Sequence, residues 1–152
     1  HQMIADSISK KIGEAMKVKD EIRLSTLRLL SSALNYEFIA KQHKLSEEEE
    51  LAVVRREVKR RKDAIEAYEK AGAKERAEKE KKEMVVLEEY LPAQLSDSEL
   101  LKIVDEAISA TGATSMADIG KIMGTIMPKV AGRAEGGRIS KLVSGKLQTK
   151  RE

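Results

Sequence analysis

The chain of 152 residues contains no cysteine. A disulfide scaffold, a thiolate-held zinc or iron–sulfur site and a cysteine nucleophile are therefore excluded, and a reducing compartment is favoured. One histidine, His43, lies inside the chain, the other being His1; without thiolates beside it, a transition-metal site is not expected. Tryptophan is absent and aromatics amount to 3% (Tyr36, Phe38, Tyr68, Tyr90). Two prolines and nine glycines are too few for the turns of a sandwich or barrel. No apolar run approaches the roughly 20 residues of a membrane span. The first residues do not follow the basic, apolar, small-residue order of a secretory leader. These absences predict a cytoplasmic protein that uses no membrane, metal or cofactor.

Apolar residues make up 41% and charged residues 36%, with 29 basic against 26 acidic side chains. That supports a core and is too balanced for a disordered polyelectrolyte. The dominance of Ala, Glu, Lys, Leu and Arg predicts an all-α chain. Ile4, Ile8, Ile12, Ala15 and Met16 recur at helical spacing, giving a helix over about 4–18. Asp20 caps a second helix to about 41, with Leu24, Leu27, Leu30, Leu34 and Phe38 as its core stripe. Ser46 and Glu49 form a capping box for a third helix, which Gly72 ends. A fourth runs from Ala73 to Tyr90, with Met84, Val85, Leu87 and Leu91 as its apolar residues, and Pro92 stops it. Ser96 and Glu99 repeat the capping pattern before a helix that ends at Gly112. Thr114 or Ser115 caps a short helix, and Pro128 terminates it. A final helix carries Ile139, Leu142, Val143 and Leu147. The expected organisation is a four-helix N-terminal part, 3–94, and a three-helix C-terminal part, 95–150.

Charge is unevenly distributed. Residues 97–118 hold five acids against one base, and residues 119–151 hold eight bases against one acid, Glu135. The turn from Pro128 to Arg138 concentrates the possibilities. Gly132, Gly136 and Gly137 let the backbone approach another molecule. The helix start that follows offers unpaired N–H groups. Arg133 and Arg138 supply forked donors suited to phosphate, and Lys121, Lys129 and Lys141 flank them. This set predicts an RNA-backbone contact site. Arg55, Lys59 and Lys62 share a face of the third helix at i, i+4, i+7 spacing and form a secondary basic cluster, although nearby glutamates can neutralise it. A nucleotide-triphosphate loop is excluded, because Arg138-Ile139 stands where Lys-Ser/Thr is required and a helix, not a strand, precedes the turn. No serine inside the helices has a histidine partner nearby in sequence; Ser–Lys chemistry, for example Ser140 with Lys141 or Lys121, stays open, although i, i+1 neighbours on a helix do not face each other. The residues favour a binding module over an enzyme, with no catalytic residue assigned. Met116, Met123 and Met127 suit either core filling or a partner groove.

Several stretches carry a resemblance: Thr26-Leu27-Arg28-Leu29-Leu30-Ser31-Ser32-Ala33-Leu34, Glu57 to Ala64 (EVKRRKDA), Glu83 to Leu95 (EMVVLEEYLPAQL), and Ala117 to Gly124 (ADIGKIMG) followed by Met127 to Ala134 (MPKVAGRA). With these, the chain resembles the YqeY-like family, relatives of the tail of the B subunit of tRNA-dependent amidotransferases. Glu135 departs from the pattern, which has Asp before the glycine. The resemblance implies an all-α protein ending in a small three-helix domain that binds tRNA. It also implies a family label of carbon–nitrogen ligase with glutamine as amido donor, although this chain holds neither the kinase-like domain nor the amidase machinery. The function it implies is a non-catalytic tRNA-binding accessory module. The alternative is an adaptor docking on an amidotransferase or an aminoacyl-tRNA synthetase.

Overall fold

The structure, a computed structural model, describes the backbone of residues 2–151 and the side chains of residues 2–148. Lys150 and Arg151, counted above among the bases, have side chains outside that range. Seven α-helices and one short 3-10 turn make up the fold, with no strand among the described residues. The chain divides into two compact units, His1–Leu91 and Pro92–Glu152.

The first unit contains α1 (Ile4–Lys17), α2 (Glu21–Lys41), α3 (Glu47–Lys70) and α4 (Lys74–Glu88). Local chemistry sets most of the ends. The Asp20 side chain accepts from the Arg23 N–H. Ser46 and Glu49 form the expected reciprocal box: the Ser46 Oγ accepts from the Glu49 N–H and the Glu49 carboxylate from the Ser46 N–H. Gly72, at φ 74°, turns the chain between α3 and α4. Ile4, Ile8, Leu30, Leu34, Leu45, Val53, Val54, Val58 and Leu87 form the core. Three apolar positions read from the sequence lie outside the core, the first being Met16, 53% exposed at the end of α1. Phe38 is 48% exposed at the end of α2, and Val85 is 60% exposed while its neighbour Val86 is buried. An apolar stripe read at 3.6-residue spacing is ambiguous by one position when adjacent residues are both apolar, as Val85 and Val86 are.

One helix start is not local. No side chain caps α1 at Met3. Instead the buried Glu50 carboxylate, from the first turn of α3, accepts from the N–H groups of Ile4 at 2.8 Å and Ala5 at 2.9 Å. A single carboxylate thus serves two otherwise unpaired donors and sits at the positive end of the α1 dipole.

The second unit contains α5 (Asp97–Thr111), the 3-10 turn Met116–Asp118, α6 (Ile119–Val130) and α7 (Gly136–Arg151). Ser96 Oγ accepts from the Glu99 N–H, but the Glu99 carboxylate takes the Ser96 hydroxyl rather than its N–H, so the box is half formed. Leu100, Val104, Ile122, Ile126, Val130, Ile139, Val143 and Leu147 build the core, with Leu142 and Met123 partly buried against it. Leu95 belongs to this core as well. Pro128 does not end α6 as expected. It sits inside the last turn, where its missing N–H forfeits only one ladder bond, and the helix continues to Val130. Termination falls to Ala131 and Gly132, both left-handed at φ 48° and 77°. Neither Thr114 nor Ser115 caps that helix by its side chain; the Asp118 carboxylate accepts from the Thr114 N–H instead.

Replacing Glu50 by Ala leaves two helix-start donors without their carboxylate in a buried place. We expect a loss of about 1–3 kcal/mol in urea unfolding, with amide exchange accelerated in the first turn of α1.

Candidate nucleic-acid interface

The turn between α6 and α7 is five residues long, 131–135, shorter than the stretch from Pro128 to Arg138 read from the sequence. The Ala131 N–H donates to the Met127 carbonyl at 3.1 Å and the Arg133 N–H to that of Val130 at 3.0 Å, which closes α6. Glu135 then accepts the first α7 bond, from the Ile139 N–H.

From this turn the two arginines reach across to the segment that enters α5. Arg133 Nε donates to the Ala93 carbonyl at 2.8 Å, and its Nη2 lies 4.0 Å from Glu99. Arg138 Nη1 donates to the Leu95 carbonyl at 3.1 Å and Nη2 to Asp97 at 2.5 Å. The Leu95 N–H in turn donates to the Arg133 carbonyl at 2.8 Å. Both polar backbone groups of a buried leucine are thereby paired, as a buried peptide requires. The expected outward-facing forks of Arg133 and Arg138 are therefore turned toward their own chain. Sequence reasoning missed this because the acceptors are mostly backbone carbonyls, which every residue carries.

A third base of the run, Lys146, pairs with Asp105 at 3.4 Å. The acidic α5 and the basic C-terminal third thus neutralise each other in part: Asp97, Glu99 and Asp105 take Arg138, Arg133 and Lys146. Among the described residues, no carboxylate pairs with Lys121 or Lys129 on α6 or with Lys141 on α7, and all three are exposed. These lysines are the cations left to an outside anion.

The glycines separate in the same way. Gly132 needs its left-handed backbone. Gly136 and Gly137 do not have positive φ, and a Cβ at either would meet nothing within 4 Å. The fold gives no reason for glycine there. Their effect is to leave the first turn of α7, with its N–H groups and positive dipole end, unscreened by side chains.

In the first unit the secondary cluster is largely answered by acids. Lys59 lies 3.4 Å from Asp63, Arg56 3.2 Å from Glu37 and Arg60 3.1 Å from Glu57. Lys62 also has a partner, whereas two guanidinium nitrogens of Arg55 are buried without a hydrogen bond. Arg61 lies buried between α3 and α4, 3.3 Å from Glu57, 3.6 Å from Glu83 and 3.9 Å from Glu80. Burial, then the neighbouring Glu80 charge, push the Glu83 carboxyl above its ordinary range against the opposing pull of Arg61. This arrangement carries no nucleophile and is a packed ion cluster. No group of side chains able to hold a metal ion occurs among the described residues. No helix among them is long and apolar enough to cross a membrane.

The family model for Yqey-like proteins matches residues 5–147. An uncharacterised protein of Schizosaccharomyces pombe is 31% identical over 90 residues, covering 59% of this chain and 73% of that protein. Altered inheritance of mitochondria protein 41, mitochondrial, of Vanderwaltozyma polyspora is 28% identical over 119 residues, covering 74% of this chain and 64% of that protein.

Two stability measurements follow from the geometry. Arg138→Ala should cost about 1–3 kcal/mol in urea unfolding, because the buried Leu95 carbonyl loses its donor; Lys141→Ala should leave stability within about 0.5 kcal/mol. Glu83, with its carboxyl raised in the folded state, favours folding while protonated. Its contribution is lost as pH rises from the ordinary carboxylate range through the raised value. Glu83→Gln should flatten that decline in a pH series of urea midpoints.

Proposed function

Since the chain belongs to the YqeY-like family, we propose that it is a cytoplasmic, non-catalytic tRNA-binding accessory module whose C-terminal unit contacts the phosphate backbone. The observation that carries this reading is the pair Gly136-Gly137 at the start of α7. Glycine is a poorer helix residue than Ala, and neither a positive φ nor a close neighbour requires it at either place. A phosphate approaching the first-turn N–H groups would require it. Lys121, Lys129 and Lys141, exposed on the same unit, supply unneutralised charge. With no aromatic in the C-terminal unit, base stacking contributes nothing there, so recognition rests on shape and phosphate and depends strongly on salt. In this reading Arg133 and Arg138 hold the turn in place, with the half-exposed Arg133 keeping donors for a second role.

Exposed methionines favour a second reading. Met116 is 40% and Met127 42% exposed, contrary to a core-filling role, while Met123 does pack on the core. A flexible, polarizable pair of this kind suits a protein partner such as an amidotransferase or a synthetase. Recovery of a protein partner after nuclease treatment, abolished by Met127→Glu, supports this second reading.

The decisive experiment is a tRNA titration at two salt concentrations. The triple variant Lys121→Ala, Lys129→Ala, Lys141→Ala should bind at least tenfold more weakly and show a shallower salt slope, by about one unit for each phosphate that no longer meets a lysine. Gly137→Ala should raise stability by about 0.4–1 kcal/mol and yet weaken tRNA binding. Unchanged affinity in both variants rejects the interface.

A further inference from the structure

A cavity of about 280 Å³ lies in the first unit between α1, the second half of α2 and the approach to α3. Ile8, Leu34 and Leu45, all buried, give it an apolar lining, and the half-exposed ring of Phe38 borders it. Its polar lining is unspent. Ser9, Ser31 and Asn35 reach the cavity, and their side chains make no hydrogen bond among the described residues. Ser7, Ser25 and Thr26 instead bond back to carbonyls of their own helices. An apolar cavity with a few free polar groups is the make-up of a small-molecule site.

Charge selects the occupant. Two carboxylates line the cavity, Asp6 and Glu50, against one ammonium, Lys44. Glu50 is 2% exposed, and no side-chain cation pairs with it among the described residues. Each of its oxygens accepts one helix-start N–H and keeps a lone pair. Lys44 is held only loosely, 3.9 Å from Asp6, with both side chains more than half exposed. An anionic ligand would meet two like charges, and a neutral one would leave the buried carboxylate without a counter-charge. A cation answers both acids, and the face of the Phe38 ring attracts it as well. The cavity is just under the ~300–1,000 Å³ of sites for drug-sized molecules, so the ligand's body is a single ring or a short chain.

We propose that this cavity binds a small organic ammonium ion, its apolar body against Ile8, Leu34 and Phe38 and its charge toward Asp6 and Glu50, with Ser31 and Asn35 as further acceptors. The site is independent of the RNA reading, which concerns the other unit.

The test titrates the full isotope-labelled chain with phenethylammonium, followed by amide chemical shifts. Phenylethanol and phenylpropionate, which keep the ring and change the head group, are titrated beside it. The ammonium compound should saturate, with shifts in α1, the second half of α2 and around Leu45. It should bind about tenfold more tightly than the alcohol, and the carboxylate should bind more weakly than either. Asp6→Asn should weaken the ammonium compound, whereas Lys44→Ala should tighten it by releasing Asp6. Both side chains are more than half exposed, so circular dichroism should show the fold kept. Ser31→Leu, which fills the cavity, should abolish binding; Asn35→Leu, at an exposed position, repeats that test should Ser31→Leu disturb the fold. No saturable binding, equal affinity for the ammonium compound and the alcohol, or shifts away from the cavity lining overturns the proposal. So does weaker binding by Lys44→Ala, or unchanged binding by Asp6→Asn.

Discussion

The guanidinium of Arg138 reaches from the first turn of α7 to the Leu95 carbonyl and the Asp97 carboxylate, and the C-terminal unit depends on that reach. Leu95 is buried in the core, so its peptide cannot be left to water. Its N–H is taken by the Arg133 carbonyl and its carbonyl by Arg138. The exposed Asp97 end adds little by itself, as surface ion pairs do. The bond to a buried carbonyl is the part that matters, because leaving that oxygen unpaired carries the full desolvation cost. Through this contact the approach to α5 and the turn before α7 become one structure, although about 40 residues separate them.

Once the arginines are occupied in this way, the electrostatics of the unit take a different form from a bare count of bases. Three acids of α5 take three cations of the C-terminal third. The outward charge is then carried by lysines, which bind phosphate as mobile point charges rather than rigid forks. Under the proposed function, a surface of that kind would meet a backbone whose phosphates recur and whose bases are not read, and the glycines at the start of α7 would serve that approach.

Much of the fold was legible in the sequence, for reasons particular to each element. Asp20, Ser46 and Ser96 are short side chains placed just before apolar periodicity, and each caps the helix it precedes. Gly72 and Gly112 end helices in the left-handed region. Pro128 misled because proline in a last turn forfeits one bond and need not stop the helix. The Glu50 cap of α1 and the Arg133 and Arg138 contacts left no local trace, since each joins residues 40 or more positions apart. The candidate site was legible as a list of basic residues and glycines. Which of them face inward was not, because the deciding acceptors are backbone carbonyls and α5 acids that sequence spacing does not bring together.

The carboxylate that closes α1 from α3 has a temporal consequence. During synthesis α1 is complete long before residue 50 leaves the ribosome. Its first N–H groups remain hydrated through that interval, and the segment has only its weak intrinsic helicity to hold it. The start of α1 is thus secured only once the first turn of α3 is made, so this helix end is closed by tertiary contact and not by its own sequence.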